Sequence, residues 1–228
     1  MRTLVLLSAL ILTFFLSCSD HRYSDKEVEL KANRIIKLFD NSTIDIFKHW
    51  GYGTRGEAEI WQKLDTPTYG CFYLKKDTLN LSVGLIENFK NDFPYTVIID
   101  TSKVHQINFK KIGDKDINIT AWTNKGMDTL IIDKIKLTSL FPTTNPFQFF
   151  AELSRLKDSL QIIGTFYRPD IGNFIQFYLT NQHVLTYLPD TLQINPKYRD
   201  VWMGYFLSGK TLSKNWILRK LEEPLDNG

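Results

Sequence analysis

The chain is predicted to be α+β, an antiparallel β-meander sheet with N-terminal helices and two later helices packed on it. Three observations carry this prediction. Apolar residues recur at helical spacing between Asp25 and Trp50, and again after Asn145 and after Asn195. Between the first two helical regions, apolar and polar residues alternate as in half-buried strands. Turn formers, among them Asp100-Thr101-Ser102, Gly113-Asp114 and Asn124-Lys125-Gly126, cut that stretch at roughly 8–12-residue intervals, the spacing of a meander.

Taken in order, Val28, Leu30, Ile35, Ile36, Leu38 and Phe39 form the first helical stripe, with Ser24 or Asp25 placed to cap its start. Asp40-Asn41-Ser42 interrupts it, and Thr43 to Trp50 makes a second helix with Ile44, Phe47 and Trp50 on one face. Gly51-Tyr52-Gly53-Thr54-Arg55-Gly56 is read as a break that releases the chain into the sheet. Glu57 to Leu64 and Tyr69 to Lys76 then read as strands around an Asp65-Thr66-Pro67-Thr68 turn. Further strands are expected over Leu79 to Ile86, Tyr95 to Ile99, Val104 to Ile112, Ile117 to Trp122 and Thr129 to Leu137. Thr144-Asn145-Pro146 opens a helix with a cap and a proline at its first position, and Phe147, Phe150, Leu153, Leu156 and Leu160 are its apolar stripe. Gln161 to Tyr167, Phe174 to Thr180 and Val184 to Leu188 are strands. Asn195-Pro196 starts a helix through Leu207, its apolar face read as Val201, Trp202, Tyr205 and Phe206. Asn215 to Leu221 is read as a last strand, with a helix as the alternative; as a strand it points Trp216 and Leu218 the same way, so that both pieces can close the core.

The N-terminus is an address rather than part of the fold. Met1-Arg2-Thr3 carries one positive charge, and Leu4 to Leu16 is an almost unbroken apolar run. Such a run rises about 20 Å as a helix, short of the ~30 Å hydrocarbon core, so it fits a cleavable signal better than a permanent span. Leu16-Ser17-Cys18, a small residue followed at once by cysteine, resembles the lipobox of bacterial lipoproteins. The resemblance implies cleavage by signal peptidase II and diacylation of Cys18 as the new N-terminus. Two or three acyl chains make a stable anchor where one does not. Ordinary secretory cleavage near Ser17 is the alternative. By the sorting rule of Gram-negative lipoproteins, Ser19 rather than Asp after the cysteine implies the outer membrane. Residues 1–17 are thus read as signal peptide, 18–24 as tether and 25–223 as one mostly β domain, held within about 20 Å of the lipid by the tether.

Composition bounds the rest. Hydrophobic residues make up 43% and aromatic residues 14%, which excludes a disordered chain. The net charge is +3, of which the leader holds one, so no electrostatic footprint for nucleic acid is present. With Cys18 acylated, Cys71 has no partner within the chain. It is read as a buried small hydrophobe, with a reactive thiol or a Cys18–Cys71 disulfide as alternatives.

The candidates for chemistry are weak. Gly51, Gly53 and Gly56 match the spacing of a phosphate loop, but a helix before and a strand after is the wrong order, and they read as backbone devices. His21, His49, His105 and His183 are scattered, without a second ligand at zinc spacing, and no metal or other cofactor is expected. No Gly-x-Ser-x-Gly elbow occurs. Glu57 and Glu59 share a strand face, as a glycosidase pair would, yet at a strand start they read as solvated edge charge. Asp114, Asp116 and Asn118 begin like a calcium loop that lacks its glycine and final glutamate. The aromatic surplus, with Tyr52, Trp61, Tyr178, Trp202 and Tyr205 among it, favours a protein or glycan partner where it is exposed.

The expectation is therefore an envelope lipoprotein at the outer membrane, tethered through Cys18 and acting as a non-enzymatic binding or assembly protein. The alternative is an envelope hydrolase or glycan-processing enzyme whose site is assembled by the fold. The first expects an exposed apolar or aromatic patch, the second a deep pocket with paired carboxylates or a His beside an activated hydroxyl. A third reading, a binder of a small apolar ligand, expects an enclosed aromatic cavity.

Overall fold

The computed structural model describes residues 23–64, 70–75, 78–82, 92–94, 104–123 and 129–225. Helix α1 (Asp25–Leu38) starts at a full capping box: the Ser24 hydroxyl accepts from the Glu27 amide, and the Glu27 carboxylate accepts from the Ser24 amide. Helix α2 (Asn41–His49) is capped by Asp40, whose carboxylate accepts from the backbone amide of Thr43 and from the Ser42 and Thr43 hydroxyls. Those bonds hold the Asp40 pKa at about 2.

Where a break was expected, the chain runs straight from α2 into a strand. β1 (Trp50–Arg55) pairs with β2 (Ala58–Lys63) through a two-residue loop. Gly56, at φ +58°, supplies the backbone that such a loop demands. β3 (Gly70–Lys75), β4 (Thr78–Ser82), β5 (Val104–Ile112), β6 (Asp116–Thr123) and β7 (Thr129–Lys136) complete a seven-stranded antiparallel meander. The expected turn at 65–68 and strand at 95–99 lie outside the described residues, as does the side chain of Cys71, whose backbone pairs with Gln62.

A short helix α3 (Leu137–Leu140) leads to α4 (Pro146–Leu160), capped by Asn145. The remaining strands form a second sheet rather than extending the first. β8 (Gly164–Tyr167), β9 (Ile175–Thr180) and β10 (His183–Tyr187) are joined by β11 (Lys210–Ser213) and β12 (Trp216–Lys220) in the order β11-β12-β10-β9-β8. Between β10 and β11 a 3₁₀ turn (Pro196–Tyr198) leads into α5 (Arg199–Leu207). The fold class is as expected, α+β and antiparallel, with the strands divided between two sheets.

One apolar core runs through both sheets. Under α4, Phe150 lies 5.4 Å from Trp50, 5.0 Å from Phe72 and 5.8 Å from Phe93, ring to ring. Under α1 and α2, Phe177 meets Phe39 at 4.7 Å and Phe47 at 5.6 Å. Helix α5 packs on the opposite face of the second sheet, where Phe206 and Trp202 meet Phe174. Its core-facing residues are Trp202, Met203 and Phe206, while Val201 and Tyr205 face solvent. Trp216 and Leu218 do point one way, but into the main core, on the other side of β12 from α5. Alternation along a strand sends successive side chains to opposite faces, so the C-terminal helix and the last strand serve two cores.

Because β12 lies inside the second sheet, between β10 and β11, a chain ending at Asp190 loses an interior strand and α5 together. It is expected to be insoluble or to lack a cooperative melt by circular dichroism. A soluble fragment that melts cooperatively would contradict this.

Candidate functional site

The two sheets meet edge to edge. β1 ends the first sheet and β8 ends the second, and the Tyr52 amide donates to the Thr165 hydroxyl at 2.7 Å across the join. No backbone ladder links the two strands among the described residues. Gly164 allows the close approach, since a Cβ there would lie 3.3 Å from the Tyr178 ring and 3.6 Å from the Tyr52 carbonyl oxygen. On one side of the join an open cleft of about 740 Å³ is lined by Tyr52, Gly53, Thr54, Lys157, Ile163 and Tyr178, among others. On the other a smaller one of about 290 Å³ lies against Gly51, Gly53, Ile60, Leu64 and Phe166.

A polar cluster sits beneath the larger cleft. β2 turns Glu59, Trp61 and Lys63 toward the covered face of the sheet, and α4 lays Ser154 and Lys157 over Glu59. Lys157 Nζ is 2.9 Å from Glu59 Oε1 and 2.6 Å from Asp158 Oδ1, and lies 5.0 Å from the centre of the Tyr52 ring. The Ser154 hydroxyl donates to Glu59 Oε2, which also accepts from the Trp61 indole at 3.3 Å. Burial disfavours the charge on Lys157, but the bonds to Asp158 and Glu59 outweigh it and hold its pKa above the ordinary lysine value. Burial raises the Tyr52 pKa, opposed by the Lys157 charge, and raises that of Tyr178, opposed by Arg219.

This chemistry is closed on itself. A lysine acts as a base only when neutral, and Lys157 is held protonated by two carboxylates. Each Glu59 oxygen already has partners, so the Ser154 hydroxyl is anchored rather than activated. A hydroxyl–imidazole–carboxylate chain exists elsewhere: Thr180 Oγ1 lies 2.9 Å from His183 Nδ1, and His183 Nε2 lies 3.2 Å from Asp25 Oδ1. Its exposures are inverted for nucleophilic catalysis, with Thr180 and His183 buried and the Asp25 side chain 76% exposed. Neither cleft includes these residues. The arrangement ties α1 to the second sheet, reinforced by Lys220 at 3.1 Å from Asp25. Lys220, then His183, lower the Asp25 pKa.

The other sequence candidates are dispersed. Glu57 is exposed and pairs with Lys75, whereas Glu59 is drawn under α4, so the two do not act together and Glu59 is not the solvated edge charge expected. His49 lies against Trp50, with Asp92 4.0 Å from its Nε2. His21 and the side chain of His105 lie outside the described residues, as does Cys18. Asp114 pairs with Lys111 and Asp116 with Lys136, while Asn118 accepts from the Lys134 amide, which separates the three. Among the described residues no group of His, Cys, Asp or Glu is placed to hold a metal ion. Sequence reasoning missed Ser154 and Lys157. Their signal was a polar residue beside the apolar stripe: Phe147, Phe150, Leu153, Lys157 and Leu160 are buried, and Leu156 packs half-buried against the same core.

Comparison with known proteins returns nothing: no family model, no curated protein and no solved structure matches this chain.

Two outcomes test this description. Lys157→Met strands the half-buried Glu59 carboxylate and should cost about 3 kcal/mol in urea unfolding. Because the folded pKa of Lys157 is raised, its contribution is complete below the ordinary value of 10.5 and is lost as pH rises through the folded value. The difference between wild type and variant should therefore be flat from about pH 6 to 9. Separately, Gly56→Ala should cost about 1 kcal/mol because of its positive φ. Gly53→Ala should cost nothing, since a Cβ there meets no atom within 4 Å. Equal losses at the two glycines would show that Gly53 is demanded by the fold itself.

Proposed function

We propose that the chain is an outer-membrane lipoprotein, anchored through acylated Cys18, that acts as a non-enzymatic binding or assembly protein through the cleft between its sheets. One observation carries the binding role: the cleft is open and of ligand-site size, while Lys157, the charged group in its lining, is neutralised by Glu59 and Asp158. A site built to bind without reacting needs shape and hydrogen-bonding groups, and Tyr52, Thr54, Thr165 and Tyr178 supply them. The lipobox-like Leu16-Ser17-Cys18 and the following Ser19 support the anchor and its destination. Among the described residues no helix is long and apolar enough to cross a membrane.

The anchor is tested by intact mass and fractionation. The mature chain should begin at Cys18 with added acyl mass, and Cys18→Ser should move it to the soluble fraction. The binding role is tested with a photo-crosslinking residue at position 163, since Ile163 lines the cleft and is 38% exposed. In intact cells it should give a discrete adduct that the same residue at exposed Ile131, in β7, does not give. Turnover of ester, peptide or glycan substrates that Ser154→Ala abolishes would overturn the non-enzymatic reading.

A further inference from the structure

We propose that the ligand of the cleft is a short extended peptide from a partner protein, paired backbone to backbone with the outer edge of β1 at Thr54. This rests on the binding reading above and names its ligand class.

The hydrogen-bond parity of β1 identifies the open edge. The Leu64 amide donates to the His49 carbonyl at 2.9 Å, and the register pairs Gly51 with Gln62, Gly53 with Ile60 and Arg55 with Ala58. In an antiparallel pair, bonded and non-bonded positions alternate. Gly51, Gly53 and Arg55 therefore exchange bonds with β2, whereas Tyr52 and Thr54 turn their amides and carbonyls outward. The Tyr52 amide confirms the parity, because it donates away from β2, to Thr165. One step further along, the Thr54 amide and carbonyl face the cleft, and no protein group bonds them among the described residues.

The two sheet edges away from the join are guarded. β7 carries Asp133, Lys134 and Lys136, with Lys134 at φ +55° beside a register shift, and β11 is four residues long. The β1 edge has no such protection at Thr54, which is exposed at the mouth of the cleft. Gly53 adds an independent sign. Gly56 is required by its φ, Gly164 faces the close approach of β8, and a Cβ at Gly51 would meet the Leu64 side chain at 2.9 Å. Nothing in the fold requires Gly53, which lines both clefts with open space where a side chain would stand. A glycine of this kind in a strand suits the close approach of another backbone.

An extended peptide is the ligand class that offers a donor and an acceptor at strand spacing, together with alternating side chains for the floor. That floor is Tyr52, Ile162, Ile163 and Tyr178. Lys157 is neutralised by Glu59 and Asp158, so an acidic side chain gains nothing there. The preferred peptide has uncharged, β-branched or small apolar residues, and its affinity is insensitive to salt.

The probe is a phage-displayed random dodecapeptide library panned on the full chain in detergent, with enriched sequences synthesised and titrated against variants. Thr54→Pro removes the outward amide without breaking a β1–β2 bond, because that amide is not in the ladder. We expect enrichment of uncharged alternating sequences, affinity at least tenfold weaker for Thr54→Pro, and affinity within twofold of wild type for Thr54→Val, which keeps the amide. Should Thr54→Pro not fold, hydrogen exchange decides on the wild type: the Thr54 amide should slow at least tenfold on peptide binding. No enrichment, unchanged affinity in Thr54→Pro, or unslowed exchange overturns the proposal. So does a concentration-dependent dimer abolished by Thr54→Pro, which would make a second copy of the chain the occupant. If these fail while the crosslink at position 163 persists, the cleft binds something other than a strand; if the crosslink fails as well, the binding reading falls with it.

Discussion

The arrangement depends on how two sheets can share one core. Each ends in a strand, β1 or β8, whose outer backbone groups need partners, and the two ends are brought against each other. A full ladder between them would make one continuous twelve-stranded sheet, too long for a strongly twisted open sheet to sustain comfortably. Instead, among the described residues, the join is a bond from the Tyr52 amide to the Thr165 hydroxyl. One pin holds the sheets adjacent while leaving each free to follow its own twist. The clefts on either side are the space that remains where two twisted edges touch at a point.

The core on either side of the pin explains why one bond suffices. Trp50 and Tyr52 leave α2 and pass under α4, so a single strand contributes to the packing of both helices' territories. Phe150 and Phe177 each gather several rings, at distances where edge-on aromatic contacts add to area burial. Dispersion and burial hold the sheets together; the hydrogen bond sets their alignment.

Charge serves the same end. A lysine on the buried face of α4 is costly to desolvate, and Glu59, Asp158 and the Tyr52 ring offset that cost only when α4 sits in one register on the sheet. The His183–Asp25–Lys220 group does the corresponding job for α1 at the end of the second sheet. Both clusters resemble catalytic constellations when read as lists of residue types. Geometry assigns them to positioning: in one every oxygen is occupied, and in the other the hydroxyl is buried while the acid faces water.

The elements were legible where a local rule was strong. Ser24 and Asn145 cap helices as expected, Asp40, read as part of an interruption, caps the second helix, and the strand expected over Val104 to Ile112 has those bounds. Gly51 to Gly56 misled because three glycines within six residues look like a break, whereas Gly51 and Gly53 sit inside β1 and the Leu64 side chain occupies the space a side chain would take at Gly51. Val201 and Tyr205 misled because they adjoin Trp202 and Phe206 in the sequence, whereas α5 turns Trp202, Met203 and Phe206 to the sheet and leaves Val201 and Tyr205 exposed.

Local physics, written in caps, periodicity and turn residues within a few positions of each other, thus determined the class, most of the strands and helices, and the lipobox-like start. Only the tertiary structure decided the division into two sheets, the burial of Lys157 over Glu59, and the outward amide of Thr54 in a cleft. Those depend on which strand edges meet and which faces are covered, through contacts between residues about a hundred positions apart, such as Tyr52 with Thr165 and Glu59 with Lys157. Side-chain pattern records that a strand has an inside and an outside; it does not record which other strand will stand beside its edge.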